Sequence, residues 1–176
     1  MSSIKTRCNN TMSESQYLAW IRSALRSKSL KWPPRAEALK LARRAYKGPN
    51  KMQKWQYLCS MCGDWFMGKE VVVDHYPVAA GRILRWQDVG AFANNLFCET
   101  DNLRVLDKVC HDAHTYAEKT GLSIQDAKAA KQAIEFCKQA SKVVIEFLSD
   151  SGYNGAAVSN ATKRRLLVEK IFKEQK

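Results

Sequence analysis

Apolar positions recur at helical spacing near both ends of the chain and change period in the middle. Tyr17, Trp20, Ile21, Ala24 and Leu25 form one stripe behind Ser13-Glu14-Ser15-Gln16, which has the form of a capping box. This predicts a first helix over 14–26. Trp32-Pro33-Pro34 breaks the chain, and Pro34 suits the first turn of a second helix. That helix would carry Ala38, Leu39, Ala42 and Tyr46 on one side and Arg35, Lys40, Arg43 and Arg44 elsewhere, ending before Gly48-Pro49. Residues 47–54 read as a charged linker punctuated by Gly and Pro.

In the centre, Glu70-Val71-Val72-Val73-Asp74-His75 is short and β-branched, the signature of a strand. Pro77 has no N–H to give a ladder and favours an extended Tyr76, so Asp74-His75 should lie at the strand's end. Asn102-Leu103-Arg104-Val105-Leu106 alternates and reads as the return strand. Residues 110–119 look helical with Gly121 as the C-terminal cap. The long connection over 79–100 holds a short helix near 87–97. In the tail, Ser123-Ile124-Gln125-Asp126 starts a long helix with Ile124, Ala127, Ala130, Ile134, Cys137, Val144 and Phe147 at core spacing, stopped by Ser151-Gly152. A last helix over 161–173 carries Leu166, Leu167 and Ile171 beside Lys163, Arg164 and Arg165. The expected class is α+β: a small two-stranded core flanked by N- and C-terminal helices.

The composition narrows the classes. With 176 residues, 45% apolar and 26% charged, the chain is an ordinary globular mix, which excludes wholesale disorder. No apolar run approaches the roughly 18 residues of a membrane span. Residues 1–11 are polar and lack a secretory pattern, so a cytoplasmic protein is expected. The net charge of +12 is uneven: +11 over 1–54, −3 over 55–120 and +4 over 121–176. These limits divide the chain into a basic helical arm, a core and a helical C-terminal region. Basic flanks around a mildly acidic centre suit a protein that grips a polyanion while its middle holds cations. Solvated Lys-rich helices would give the same total.

The cysteines are Cys8, Cys59, Cys62, Cys98, Cys110 and Cys137. In an expected cytoplasmic chain, a C-x-x-C pair binds metal or does redox chemistry. Cys59-Ser60-Met61-Cys62-Gly63 has knuckle form, with Gly63 free to take a positive φ. A thioredoxin-like pair would open a helix after a buried strand. This one precedes Asp64-Trp65-Phe66-Met67-Gly68 and a strand, which favours metal. Cys8 reads as a loop thiol and Cys137 as a small core residue.

A strand ending Asp-His, a strand starting with Asn and a helix starting Cys-His would gather a carboxylate and imidazoles. Phosphodiester hydrolysis needs such a set: a divalent ion to neutralise the phosphate and leaving oxygen, and a base for water. Asp74 offers a hard oxygen and His111 a borderline nitrogen, His75 is the natural base, and Asn102 could orient an imidazole or its loop. Adjacent strand residues point to opposite faces, so Asp74 and His75 share a site only where the strand bends or ends.

Taken together, Tyr57-Leu58-Cys59-x-x-Cys62, Val73-Asp74-His75-x-Pro77, Leu96-Phe97-Cys98-Glu99, Asp101-Asn102-Leu103-Arg104-Val105-Leu106 and Cys110-His111-x-x-His114-Thr115 resemble the HNH endonucleases. They are most similar to the small HNH proteins of tailed phages. The resemblance runs over about 25–118 and includes Trp32-Pro33-Pro34-Arg35. It implies a ββα-metal fold and metal-dependent DNA cleavage, as a nick or a double-strand break, leaving 5′-phosphate and 3′-hydroxyl ends. It further implies His75 as general base, Asp74 and His111 as ligands of one catalytic divalent ion, Mg²⁺ or Mn²⁺, and Asn102 in the family's Asn position. A phage-encoded, homing-like enzyme acting in the host cytoplasm follows from it, with DNA as partner, no membrane, and a homodimer if cutting is symmetric. Arg35, Arg43, Arg44, Arg82, Arg85 and Arg104 are the candidate phosphate contacts. The alternative is a non-catalytic zinc module that binds DNA or a host protein.

Two departures stand out. Relatives usually complete a structural zinc site with a second C-x-x-C, and here Asp107-Lys108-Val109-Cys110 stands in that place. Cys59, Cys62, Cys110 and Asp107 would then hold Zn²⁺, with Cys98 a rival to Asp107. Loss of the zinc would leave the cysteines as ordinary small residues. His114 stands where relatives usually carry Lys, one turn beyond His111, so a phosphate contact or a solvated surface role is expected for it.

Overall fold

The computed structural model describes residues 4–76 and 85–174. They form a mixed α+β structure in two compact units, Met1–Asp107 and Lys108–Lys176. Pro77 and Arg82 lie outside the described residues, with the expectations placed on them.

The first unit begins with the hairpin β1 (Lys5–Arg7) and β2 (Met12–Ser13), closed by Cys8, Asn9 and Asn10 at positive φ. Helix α1 spans Glu14–Ser29. The capping box is present: Gln16 N–H donates to Ser13 Oγ, and Ser13 N–H donates to Gln16 Oε1 at 2.8 Å. Helix α2 spans Pro33–Leu41, with proline in its first turn.

The expected second helix ends early. Residues that were expected to continue it, Arg43–Ala45, form strand β3. It pairs antiparallel with β4 (Trp55–Leu58), which pairs antiparallel with β5 (Trp65–Met67). The reason lies in side-chain pairing. The Arg43 guanidinium sits 4.2 Å from the Trp55 ring centre and that of Arg44 4.0 Å from Trp65, each pair on one face of the sheet by its register.

Strand β6 (Val71–His75) and β7 (Leu103–Asp107) pair antiparallel in the register Val73↔Val105, Asp74↔Arg104 and His75↔Leu103. Asn102 lies just outside β7, in a 3₁₀ turn over Thr100–Asn102. Helix α3 (Asp88–Leu96) occupies the connection between these strands. Val71, Val73 and Val105 are buried against Ala38 of α2, with Tyr57 and Phe66 from the three-stranded sheet packed alongside. The basic arm is therefore part of this core: α2 supplies one wall of it, although the charged linker separates them in sequence.

The second unit is helical. Helix α4 (Lys108–Thr120) ends at Gly121, whose φ is 72° and whose N–H donates to the Ala117 carbonyl at 2.8 Å. The expected single long helix is two: α5 (Ile124–Phe136) and α6 (Ser141–Asp150), followed by α7 (Ala161–Glu174). The break lets Phe136, Phe147 and Phe172 meet at centroid separations of 4.8–6.0 Å around Val144, Leu148 and Val168. Among the described residues, no helix is long and apolar enough to cross a membrane.

Candidate functional site

The knuckle forms as its spacing demands. Gly63 takes φ 76°, and its N–H donates to the Cys59 carbonyl at 3.0 Å, while Cys59 N–H donates to Asp64. Ser60 N–H donates to Val105 at 2.9 Å, which fastens the knuckle to β7. Asp107 ends β7, and Cys110 follows three residues later, so the chain itself fixes their spacing. The ligand atoms of Cys59, Cys62, Asp107 and Cys110 all lie within 4.8 Å of one another, and the group could hold a metal ion. Cys62 Sγ and Asp107 Oδ2 are 3.7 Å apart. Tetrahedral Zn–S bonds of about 2.3 Å place neighbouring ligands about 3.8 Å apart, so the donor set fits that ion in type and spread.

Cys98 is not part of the group. Its thiol donates to the Asn102 carbonyl at 3.8 Å, and burial pushes it up from the usual thiol range. Its own carbonyl accepts from Trp32 Nε1 at 2.8 Å. Cys8 is exposed, and Cys137 is half-buried against the helical core with its thiol likewise pushed up by burial.

Asp74 and His75 sit at the end of β6, and strand alternation divides their partners. Arg104 Nε and Nη2 both donate to Asp74 Oδ2, at 3.3 and 3.0 Å, and the same guanidinium lies 4.7 Å from the Tyr76 ring centre. His75 Nε2 lies 3.1 Å from the Leu96 carbonyl at the end of α3. With the proton on Nε2 donated to that carbonyl, Nδ1 is left as the acceptor. Tyr76 N–H donates to the Asn102 carbonyl at 2.8 Å, so the ladder carries one bond past its last pair and fastens Asn102 beside the strand end. The Leu96 carbonyl has no residue signature and only the fold discloses it. Arg104 as partner of Asp74 was readable from strand register alone.

His111 lies in the first two turns of α4, with Nδ1 3.7 Å from Asp112 Oδ1. His114 is less exposed than a solvated surface residue would be, and its Nδ1 lies 3.4 Å from Glu118 Oε1, one turn on.

The arginines divide by what they already touch. Arg35 Nη2 donates to the Val73 carbonyl at 2.8 Å, and burial pulls its guanidinium below the usual arginine value, with Asp74's charge opposing. Arg104 is committed to Asp74. Arg43 and Arg44 are exposed on β3, and Arg85 is 78% exposed beside Asp88. Trp86 stacks on Tyr17 at 6.3 Å with about half its surface open.

No family model matches this chain, and neither a curated protein nor a solved structure matches it.

Proposed function

We propose that the chain is a metal-dependent DNA endonuclease of the HNH kind, hydrolysing phosphodiester bonds to 5′-phosphate and 3′-hydroxyl ends with the ββα-metal core that the resemblance implies. The observation that carries this reading is the β6–β7 register. It sets Asp74 and His75 next to each other at one strand end, turned by alternation to different partners, and ties the Asn102 backbone to that end through the Tyr76 N–H. His75, oriented by the Leu96 carbonyl, presents Nδ1 to take a proton from water. Asp74 and His111 would hold the divalent ion, a hard oxygen and a borderline nitrogen that suit Mg²⁺ or Mn²⁺. When bound, that ion supplies positive charge against the phosphate and the departing oxygen. Cys59, Cys62, Asp107 and Cys110 are assigned to a structural Zn²⁺. DNA is the partner, and a phage gene acting in the host cytoplasm remains the setting implied by the resemblance.

The test is nicking of supercoiled plasmid. Wild-type protein with Mg²⁺ or Mn²⁺ should relax or linearise it, and His75→Ala should do so at least about a hundredfold more slowly, the usual worth of a positioned base. Plasmid left equally intact by wild type and variant under both metals would instead favour a zinc module without chemistry.

A further inference from the structure

From Arg43 to Gly63 the chain carries Arg43, Arg44, Lys47, Lys51 and Lys54 and no acidic residue. Structurally this stretch is the edge strand β3 of the three-stranded sheet, the turn after it, and the central strand β4, up to the knuckle. The pairs Arg44↔Gln56 and Gln56↔Met67 put these side chains on one face, with Leu58 and Trp65 beside them by alternation. Tyr57 and Phe66 point the other way and pack into the core. Arg43, opposite Tyr57, and its ring partner Trp55 belong to that second face, at the free edge of β3, so Arg44 alone of the two arginines stands with Gln56 and Trp65. Arg43, Arg44, Lys47, Lys51 and Lys54 are all exposed.

Two details set its chemistry. Arg44 Nε and Nη2 donate to Gln56 Oε1 at 3.3 Å while its plane lies over Trp65, so the guanidinium is oriented before any ligand arrives and its other N–H groups remain for one. Each of Trp55 and Trp65 already carries a guanidinium on its ring. A ring face that holds a guanidinium is no platform for an unstacked base, which disfavours stacking of single-stranded nucleic acid on those faces. Planar donors with no acidic neighbour in this stretch match phosphate oxygens instead.

We propose that the β3–β4 ribbon is a duplex-DNA contact of the proposed nuclease, gripping backbone phosphates without reading sequence. Arg44 is its oriented donor, and Lys47, Lys51 and Lys54 in the turn after β3 are its flexible ones, with Arg43 at the strand edge beside them. The proposal rests on DNA being the substrate but not on cleavage, so binding is measured without Mg²⁺ or Mn²⁺.

The experiment is fluorescence anisotropy of a labelled random-sequence duplex against zinc-loaded full-length protein over a salt series, with poly(dT) of equal length as the second arm. Each neutralised phosphate contributes about 0.9 to the slope of log affinity against log salt. The change Arg44→Gln should lower that slope by about 1. The triple change Lys47→Gln, Lys51→Gln and Lys54→Gln, which disturbs no ring contact, should lower it by about 2–3, with thermal midpoint and zinc content as wild type. Unchanged slopes in the triple variant, tighter binding of poly(dT), or no duplex binding at all would each overturn the proposal. If charge on this edge only keeps strands from pairing between molecules, the slopes stay put. Plasmid nicking by the same proteins is scored separately. Nicking with unaltered slopes removes the ribbon and keeps the nuclease, while lost slope without any nicking does the reverse.

Discussion

A guanidinium is available to a ligand only in so far as its N–H groups are not already engaged. Arg35 and Arg44 look alike in the sequence, each beside an aromatic residue or a helix in a basic arm. One is half-buried and caps the outer edge of β6 at the Val73 carbonyl, where an unpaired acceptor would be costly. Arg35→Ala should therefore cost about 1.5–3 kcal/mol of stability, the usual range for a hydrogen bond to a charged group, read as a fall in denaturation midpoint. It should leave the salt dependence of DNA binding alone. A variant of wild-type stability would show that this bond contributes nothing. The thiols divide in the same manner. In zinc-loaded protein, alkylation followed by mass spectrometry should find Cys8 modified first and Cys98 and Cys137 slowly, since burial pushes both thiols up. Cys59, Cys62 and Cys110 should react only after chelation. The decisive residue is Cys62, which is exposed yet expected to be protected. If Cys62 reacts as fast as Cys8 before chelation, it does not ligate metal.

Among elements, legibility followed how local the cause was. Helix α1 could be read because its cap is four adjacent residues, and Ser13→Ala should cost about 1 kcal/mol by removing an acceptor for the Gln16 N–H. The return strand and the Gly121 cap were readable for the same reason. Strand β3 was not, because three residues carry no periodicity and its stabilising partners, Trp55 and Trp65, lie beyond a turn. The hairpin of β1 and β2 was missed likewise, its turn built on Cys8, Asn9 and Asn10 rather than on glycine. The break between α5 and α6 has no Pro or Gly to announce it. In a continuous helix Phe136 and Phe147 would stand about 16 Å apart along the axis, and packing brings them to 4.8 Å. Burial around that aromatic cluster outweighs the helix propensity of Lys138, Gln139 and Ala140. Leu148, fully buried within it, should cost about 2–5 kcal/mol when changed to Ala, seen in chemical denaturation. A loss under 1 kcal/mol would mean that the turn, not the core, sets the break.

On the scale of the whole molecule, the metal cluster was legible with Asp107 as its fourth donor, and only the rival, Cys98, needed the fold to set it aside. The C-x-x-C and the Asp107–Cys110 spacing are written in adjacent residues, but the choice between Asp107 and Cys98 depends on where β7 ends. The structure puts Asp107 among the thiols at 4% exposure and Cys98 elsewhere. A carboxylate withdrawn from water beside sulfur ligands stacks negative charge on negative charge, and a divalent cation is what makes such a grouping favourable. Zinc binding to the folded state alone then contributes stability: about 4 kcal/mol when free metal exceeds its dissociation constant a thousandfold. For a chain of this length each kcal/mol moves the thermal midpoint by about 2–4 °C, so chelation should lower it by about 8–16 °C. Purified protein should contain about one equivalent of zinc. Asp107→Ala should keep some zinc on three sulfurs and melt between the loaded and stripped proteins, while Asp107→Cys should hold the metal against a stronger chelator than wild type does. A midpoint indifferent to chelation, with no zinc in protein purified without chelator, would leave Asp107 as a buried carboxylate held by protein donors, the Cys62 thiol among them. It would also remove the metal from the account of how β7 and the knuckle are held together.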